Sequence, residues 1–276
     1  MNDFDPETHR AEARKRWEAA AGGWAQANEF AAATLPVSEA MIAAIDPQPG
    51  QTILELAAAR GDTGFMAATR VGAEGRLIST DGAEAMVKAA EVRATSLGIG
   101  NAEFKPMDLE WIDAETATID GVLCRFGYMH AVDPEASLRE SRRVLRSGGR
   151  LALAVWDLPD RNPWLNAPRV ALDSTGPGPG AFALSAQGQV HDLLLVAGFE
   201  DVVTTPVDIV FELPSLDAMW ELVVGISSTM APLIKALSPA EHFRLRDHVD
   251  AVWGEFKKGD GGVAVPGRAL VCSASA

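Results

Sequence analysis

The chain has 276 residues, 47% of them hydrophobic and 22% charged, which is ordinary globular composition and excludes a mainly disordered protein. Its 24 Lys and Arg against 38 Asp and Glu give a formal charge of -14, so a polyphosphate partner is disfavoured and nucleic acid is not expected. Arg14-Lys15-Arg16 and Arg142-Arg143 are the densest basic clusters, and both fall at helical spacings among acids and alanines.

From Glu7 to about Ile45 the sequence is Ala-rich and punctuated by Trp17, Trp24 and Phe30, which predicts two or three short helices. Pro47, Pro49 and Gly50 then make a turn. Strand candidates follow at Thr52 to Leu56, Gly75 to Thr80, Glu103 to Pro106, Gly121 to Phe126 and Leu151 to Trp156. Helix-compatible segments separate them, at Phe65 to Arg70, Ala83 to Leu97 and from Pro134 to a stop at Gly148-Gly149. Short apolar strands alternating with helices predict βαβ units: an α/β fold with a mostly parallel sheet covered on both faces. Beyond Trp156 the segment Asp173 to Gly180 has the Gly and Pro content of a mobile loop. Ser185 is placed to cap a helix to Ala197, Asp201 to Phe211 reads as a strand, and two amphipathic helices span Leu216 to Leu237 and Pro239 to Lys257. Val263 to Cys272 is the last strand. Three regions are therefore expected: an N-terminal helical cap (1–45), a ligand-binding core (46–157), and a C-terminal part (158–276) carrying the loop, the final strands and an inserted helical cap at about 212–260.

Two cysteines, Cys124 and Cys272, suggest neither a disulfide framework nor a metal cluster. The start MNDFDPETHR lacks signal-peptide character, and no apolar run approaches the roughly 20 residues that span a bilayer. A cytoplasmic protein without membrane insertion is expected; a homodimer is left open.

In such a sheet the ligand sits beyond the carboxyl ends of the strands, where strand order reverses. The first strand runs into ILELAAARGDTG (Ile53–Gly64), in which Ala57, Ala58 and Ala59 leave only Gly61 and Gly64 where a nicotinamide site needs G-x-G-x-x-G. An NAD-dependent oxidoreductase is disfavoured accordingly. Asp81, ending the second strand, is placed to accept the two hydroxyls of a ribose. Glu55 decides between cofactors: an acid there repels a pyrophosphate but attracts a sulfonium and an ammonium group, which selects S-adenosylmethionine (SAM).

The segments ILELAAARGDTGF, RLISTDGAEAMVKAA, EFKPMDLE, IDGVLCRFGYMHAVDP and SRRVLRSGGRLALAVW resemble, in order, the motifs of class I SAM-dependent methyltransferases. The branch they resemble is the ubiquinone/menaquinone-biosynthesis C-methyltransferase-like one. The resemblance runs from about Trp17 to Trp156 and only weakly into the final strands. It implies a Rossmann-like sheet of seven strands and a role for each matching residue. Glu55 orders the first loop and faces the methionine end of SAM, while Ala57 and Gly61 let the backbone approach the ligand. The helix from Asp62 turns N–H groups toward the ligand carboxylate. Asp81 takes the ribose, with Gly82 and Met86 beside the adenine; Asp108 accepts from the adenine amino group, with Met107 adjacent. Arg125 lies near the methionyl portion. One departure is Ala59, where the family usually carries Gly. If the backbone there takes φ > 0, alanine costs on the order of 1 kcal/mol and its methyl group narrows the site.

Plainer roles exist for each residue. Glu55 or Asp81 serves equally as a cap for nearby amides, Asp108 as a loop start, and Arg125 as half of an ion pair. His130, at the mouth of the site, is a candidate base, although a packed histidine is the commoner case. Trp17, Trp24, Trp156, Trp164, Phe182, Met219, Trp220 and Met230 are candidates for a substrate pocket or for core packing. In-line attack on a sulfonium methyl needs no Ser-His-Asp set and no metal. The segment after the fourth strand, CRFGYMH, lacks the Asn/Asp-Pro-Pro-aromatic signature of nucleic-acid amino methylation. A small, moderately hydrophobic acceptor is therefore expected; the alternative is a SAM-binding protein of the same fold that transfers no methyl group.

Overall fold

The computed structural model describes residues 5–174 and 178–276. Residues 175–177, within the loop expected at 173–180, lie outside the described residues. Seven strands form one sheet: β1 (Thr52–Leu56), β2 (Arg76–Asp81), β3 (Ala102–Pro106), β4 (Ile119–Arg125), β5 (Leu145–Trp156), β6 (Glu200–Leu213) and β7 (Val263–Ser275). Their spatial order is β3-β2-β1-β4-β5-β7-β6. β1 to β5 are parallel, and β7 runs antiparallel to both β5 and β6. The α/β class and the mostly parallel seven-stranded sheet are thus as expected. β1 reads TILEL with only its first residue outside the core, as a strand covered on both faces must. Chain order reverses between β1 and β4, so a crevice opens at their carboxyl ends.

Helices α4 (Asp62–Val71), α5 (Glu84–Leu97) and α6 (Pro134–Val144) make the crossovers. The stop expected for α6 at Gly148-Gly149 is corrected: the helix ends at Val144 and β5 begins at Leu145. β5 pairs there with Ile119 before a register shift, so Gly148 (φ +76°) sits inside an irregular strand rather than a helix cap. Likewise Ser185 caps no helix; its hydroxyl donates to the Phe182 carbonyl, and α8 (Gln189–Val196) starts after Gly188 in the left-handed region. A helix absent from the sequence reading, α7 (Pro163–Ala171), follows β5. Its internal Pro168 hides it from propensity arguments.

The N-terminal segment forms α1 (Pro6–Ala25), α2 (Asn28–Ala33) and α3 (Leu35–Ile45). α3 packs across β4, β5 and β7 and belongs to the layer covering the sheet. α1 reaches further: α5 has no side-chain cap of its own, and the Glu18 carboxylate accepts from the Glu84 and Ala85 N–H groups at 2.6 and 2.9 Å. Between β6 and β7 the chain inserts α9 (Leu216–Ile226), α10 (Met230–Lys235) and α11 (Pro239–Gly254). α1 meets α9 at Gly23, where a Cβ would lie 1.9 Å from the Gly225 carbonyl oxygen, and the Trp24 indole N–H donates to the Ile226 carbonyl at 2.9 Å. The two helical segments therefore join over the crevice. Among the described residues no helix is long and apolar enough to cross a membrane.

Close backbone approach at Gly23 has a measurable consequence. Gly23→Ala forces α1 off α9 at a cost of about 1–3 kcal/mol. The thermal midpoint should fall by roughly 3–10 °C in calorimetry; an unchanged midpoint contradicts this packing.

Candidate active site

Under these helices lies a cavity of about 800 Å³, a volume within the usual range for small-molecule sites. Its floor is the tips of β1, β2 and β4. Glu55, Ala57, Asp81, Gly82, Met86, Met107, Asp108, Arg125 and His130 all line it, so residues scattered from 55 to 130 converge on one cavity. Gly61 does not line it. This corrects its expected role: Gly61 has φ +79° at the start of α4, and the Phe65 ring occupies the space a Cβ would need.

Glu55 ends β1 almost fully buried. One oxygen accepts from the Gly64 N–H at 2.7 Å and the other from the Ser79 hydroxyl at 3.1 Å. A Cβ at Gly64 would stand 2.1 Å from the same carboxylate, so only glycine permits this junction. The first-turn amide of α4 thus serves Glu55, where a ligand carboxylate was expected to take such groups. Burial pushes the Glu55 carboxyl up to about 7, against the pull of those hydrogen bonds and of Arg125. Asp81 accepts from the Ala83 N–H and the Ala59 N–H, each at 3.0 Å, and burial likewise raises it to about 6. Both acids therefore cap amides and also face the cavity. A carboxylate has about four acceptor positions, so Asp81 keeps capacity for two hydroxyls.

Ala57 and Ala59 both adopt left-handed backbone, at φ 50° and 48°, and Phe126 after β4 does so at 61°. Three of the non-glycine residues in left-handed backbone thus stand at the tips of adjacent strands. These tips touch: a Cβ on Gly127 would lie 2.7 Å from that of Ala57. Met107 donates its N–H to the Asp81 carbonyl at 2.9 Å, and Asp108 accepts from Glu110 N–H at 2.9 Å, which places both at the β3 side of the crevice. Met86 is buried with Ala21 and Ala83 beneath Trp17, so α1 roofs this side.

Arg125 is buried and paired. It bonds Asp62 at 3.2 Å, donates to the Thr34 hydroxyl and lies over the rings of Phe30 and Phe126. Asp62 also pairs with Arg60 at 3.4 Å and Arg93 at 2.9 Å, a hub absent from the sequence reading because three of its four members lie far apart in the chain or on opposite sides of a turn. His130 meets the edge of Trp17 at 5.1 Å between centroids. Burial, with Arg16 adding to it, brings its imidazole down to about 4, so it is neutral at pH 7 and a weak base. Of the proposed aromatic lining, Trp17, Trp24, Trp156, Trp164, Phe182 and Met230 border the cavity. Met219 and Trp220 do not; Met219 is core, and Trp220 packs against His242 and Arg246. Phe30 and Phe126 were missed, yet Phe126 stacks on Trp156 at 3.8 Å and Phe30 touches Trp24, Phe126, Trp156, Trp164 and Phe211.

Residues 47–175 match a family described as a methyltransferase domain. That stretch, just under half of the chain, is thus similar to a methyltransferase domain. It is 32% identical over 111 residues to the ubiquinone/menaquinone biosynthesis C-methyltransferase UbiE of Enterobacter sp. (strain 638), covering 40% of this chain and 44% of that protein. The chain thus spans less than half the length of that relative. Nocamycin O-methyltransferase of Saccharothrix syringae is 29% identical over 216 residues, covering 68% of this chain and 77% of that one. In fold, the YcgJ protein of Bacillus subtilis superposes with a TM-score of 0.61 at 15% identity, over 86% of this chain and 97% of that one.

SAM fits this cavity on its own chemistry. Two acids that burial holds partly protonated gain from a sulfonium, an ammonium and ribose hydroxyls arriving beside them. In the free protein the same burial makes ionised Glu55 a liability. Because its folded pKa lies above the ordinary 4.5, the penalty is absent at low pH, grows as pH rises and is complete above about 7. Glu55→Gln should raise the thermal midpoint of the free protein at pH 8 by about 5 °C and change it little at pH 4.5. Equal shifts at both pH values contradict the assignment.

Proposed function

We propose that this protein transfers the methyl group of SAM to a small, moderately hydrophobic acceptor. The observation that carries the reading is the pair of carboxylates, buried Glu55 and partly buried Asp81, on adjacent strand tips within one aromatic-walled cavity. SAM supplies an electrophilic methyl on a cationic sulfur. Asp81, with Gly82 and Met86 nearby, would hold ribose and adenine, and Asp108 with Met107 the far edge of the base. Glu55 would face the methionyl end electrostatically, while Arg125, already paired to Asp62, would fix the wall beside it.

The acceptor would enter between the aromatic cluster and His130. Covering by α1 and α9 to α10 excludes water, and alignment of the reacting atoms then supplies much of the rate. His130, neutral and weakly basic, suits hydrogen bonding to the acceptor better than removal of a tightly held proton. The net charge of -14 argues against a nucleic-acid acceptor. Strain at Ala57 and Ala59 favours the second reading only as far as it weakens SAM binding, and that is measurable: Ala59→Gly should tighten SAM by up to about fivefold if the strain opposes binding.

The test is calorimetric titration with SAM and S-adenosylhomocysteine, followed by mass spectrometry for S-adenosylhomocysteine released in the presence of aromatic acceptors. Binding without release under every acceptor favours the non-transferring alternative. Asp81→Ala should weaken SAM more than about tenfold; a change under about twofold removes its ribose role. Because Glu55 and Asp81 hold protons up to about 7 and about 6, binding of the cation should expel them. SAM affinity should therefore rise with pH between about 5 and 7, by at most about tenfold per unit and proton, and level off above. Titration in two buffers of different ionisation enthalpy reads the released proton directly; proton uptake near pH 6 contradicts the model.

A further inference from the structure

The cations that border the cavity differ in how their charge is met. Arg125 pairs with Asp62, and Arg10 with Glu110. Arg14 lies on the exposed face of α1, and His130 is neutral. Arg169 stands apart. It projects from α7 into the cavity wall partly buried, its guanidinium lies over the Phe182 ring at 4.8 Å, and one N–H donates to the Ser174 carbonyl at 3.1 Å. Among the described residues no Asp or Glu pairs with it. Burial holds its guanidinium below the ordinary arginine value, and no carboxylate offsets that pull. A half-desolvated charge without a counter-ion is costly, and the cost is recovered when an anion arrives.

Its location assigns the anion to the acceptor rather than to the cofactor. Glu55, Asp81 and Met107 belong to the β1-β2-β3 half of the sheet. α7 follows β5 and packs on β7 and α11, where the Trp253 indole N–H donates to the Pro163 carbonyl at 3.1 Å. Between the two lie the tips of β4 and β5 with stacked Phe126 and Trp156. Phe182 beneath the guanidinium comes from the segment that closes over His130, since the Gly180 N–H donates to the Met129 carbonyl at 2.9 Å.

We propose that Arg169 is the anion receptor of the acceptor site, so that the acceptor is an aromatic or otherwise flat apolar molecule bearing a carboxylate or an equivalent anionic oxygen. This deepens, and rests on, the reading of the cavity as a methyl-transfer site. The planar fork of guanidinium donors suits a carboxylate held in two parallel bonds, and stacking on Phe182 fixes its plane. The aromatic wall would take the ring system while the anion sets its direction relative to the methyl donor.

The test uses 2-naphthoate and its uncharged isostere 2-naphthamide, titrated by tryptophan fluorescence and calorimetry into the full chain, with and without S-adenosylhomocysteine. The wild type should bind the acid at least about tenfold tighter than the amide. Arg169→Met should reduce that preference to about twofold or less, and Arg169→Lys should keep part of it, with S-adenosylhomocysteine affinity unchanged in both. Equal wild-type affinity for acid and amide, no binding of the acid, or a preference that survives Arg169→Met overturns the proposal. The wild-type comparison decides even if Arg169→Met fails to fold. Binding of S-adenosylhomocysteine is scored separately: cofactor binding without acid preference sinks the anion receptor alone, and acid preference without cofactor binding sinks the methyl-transfer reading alone.

Discussion

Glu55 stands at the end of β1 with one oxygen held by the Gly64 amide and the other by the Ser79 hydroxyl, and the rest of the cleft is arranged around that buried charge. The hydrogen bond to Gly64 sets the angle at which α4 leaves the strand, and the bond from Ser79 ties β1 to β2 two residues before Asp81. Asp81 then closes the loop from the other side through the Ala59 N–H. The intervening backbone is pulled into left-handed conformations at Ala57 and Ala59, which isolated alanine avoids. Two carboxylates therefore shape the loop and remain the strongest electrostatic feature of the floor.

A second constraint comes from the roof. The N-terminal helix does not merely precede the sheet; Glu18 provides the amide cap that α5 lacks, directly after Asp81. At its other end α1 is locked to α9 through Gly23 and Trp24. Segments more than 200 residues apart thereby cover one cavity, as the Trp24 bond to Ile226 attests. Opening the site to exchange ligands must disturb either that glycine contact or the Glu18 cap, which couples access to the stability of the two helical segments.

Within the cavity the chemistry divides by side. The β1 to β3 half is acidic and polar. The β4 to β5 half is aromatic, with Phe126 on Trp156 and Phe30 at the centre of a ring cluster, and it ends at a guanidinium that has no carboxylate partner among the described residues. A cationic donor and an anionic, apolar acceptor would each find a complementary wall. No proton relay stronger than neutral His130 is needed for a displacement in which the nucleophile arrives already anionic or weakly acidic.

Much of this is legible in residue order. Local periodicity and turn residues determine a parallel sheet with its helices, because burial on both faces demands short apolar strands and crossovers demand helices. The acids at strand ends were also readable, since Glu55 and Asp81 owe their positions to the strands that carry them. What residue order left undecided depends on contacts between distant segments. Gly61 serves the Phe65 ring rather than a ligand, Met219 and Trp220 turn away from the cavity, and α7 forms despite Pro168 because β7 and α11 bury it. The ionisation of His130 and the isolation of Arg169 are likewise properties of surroundings. A side chain's charge balance is set by whichever groups folding brings within a few ångströms, and no spacing along the chain encodes that distance.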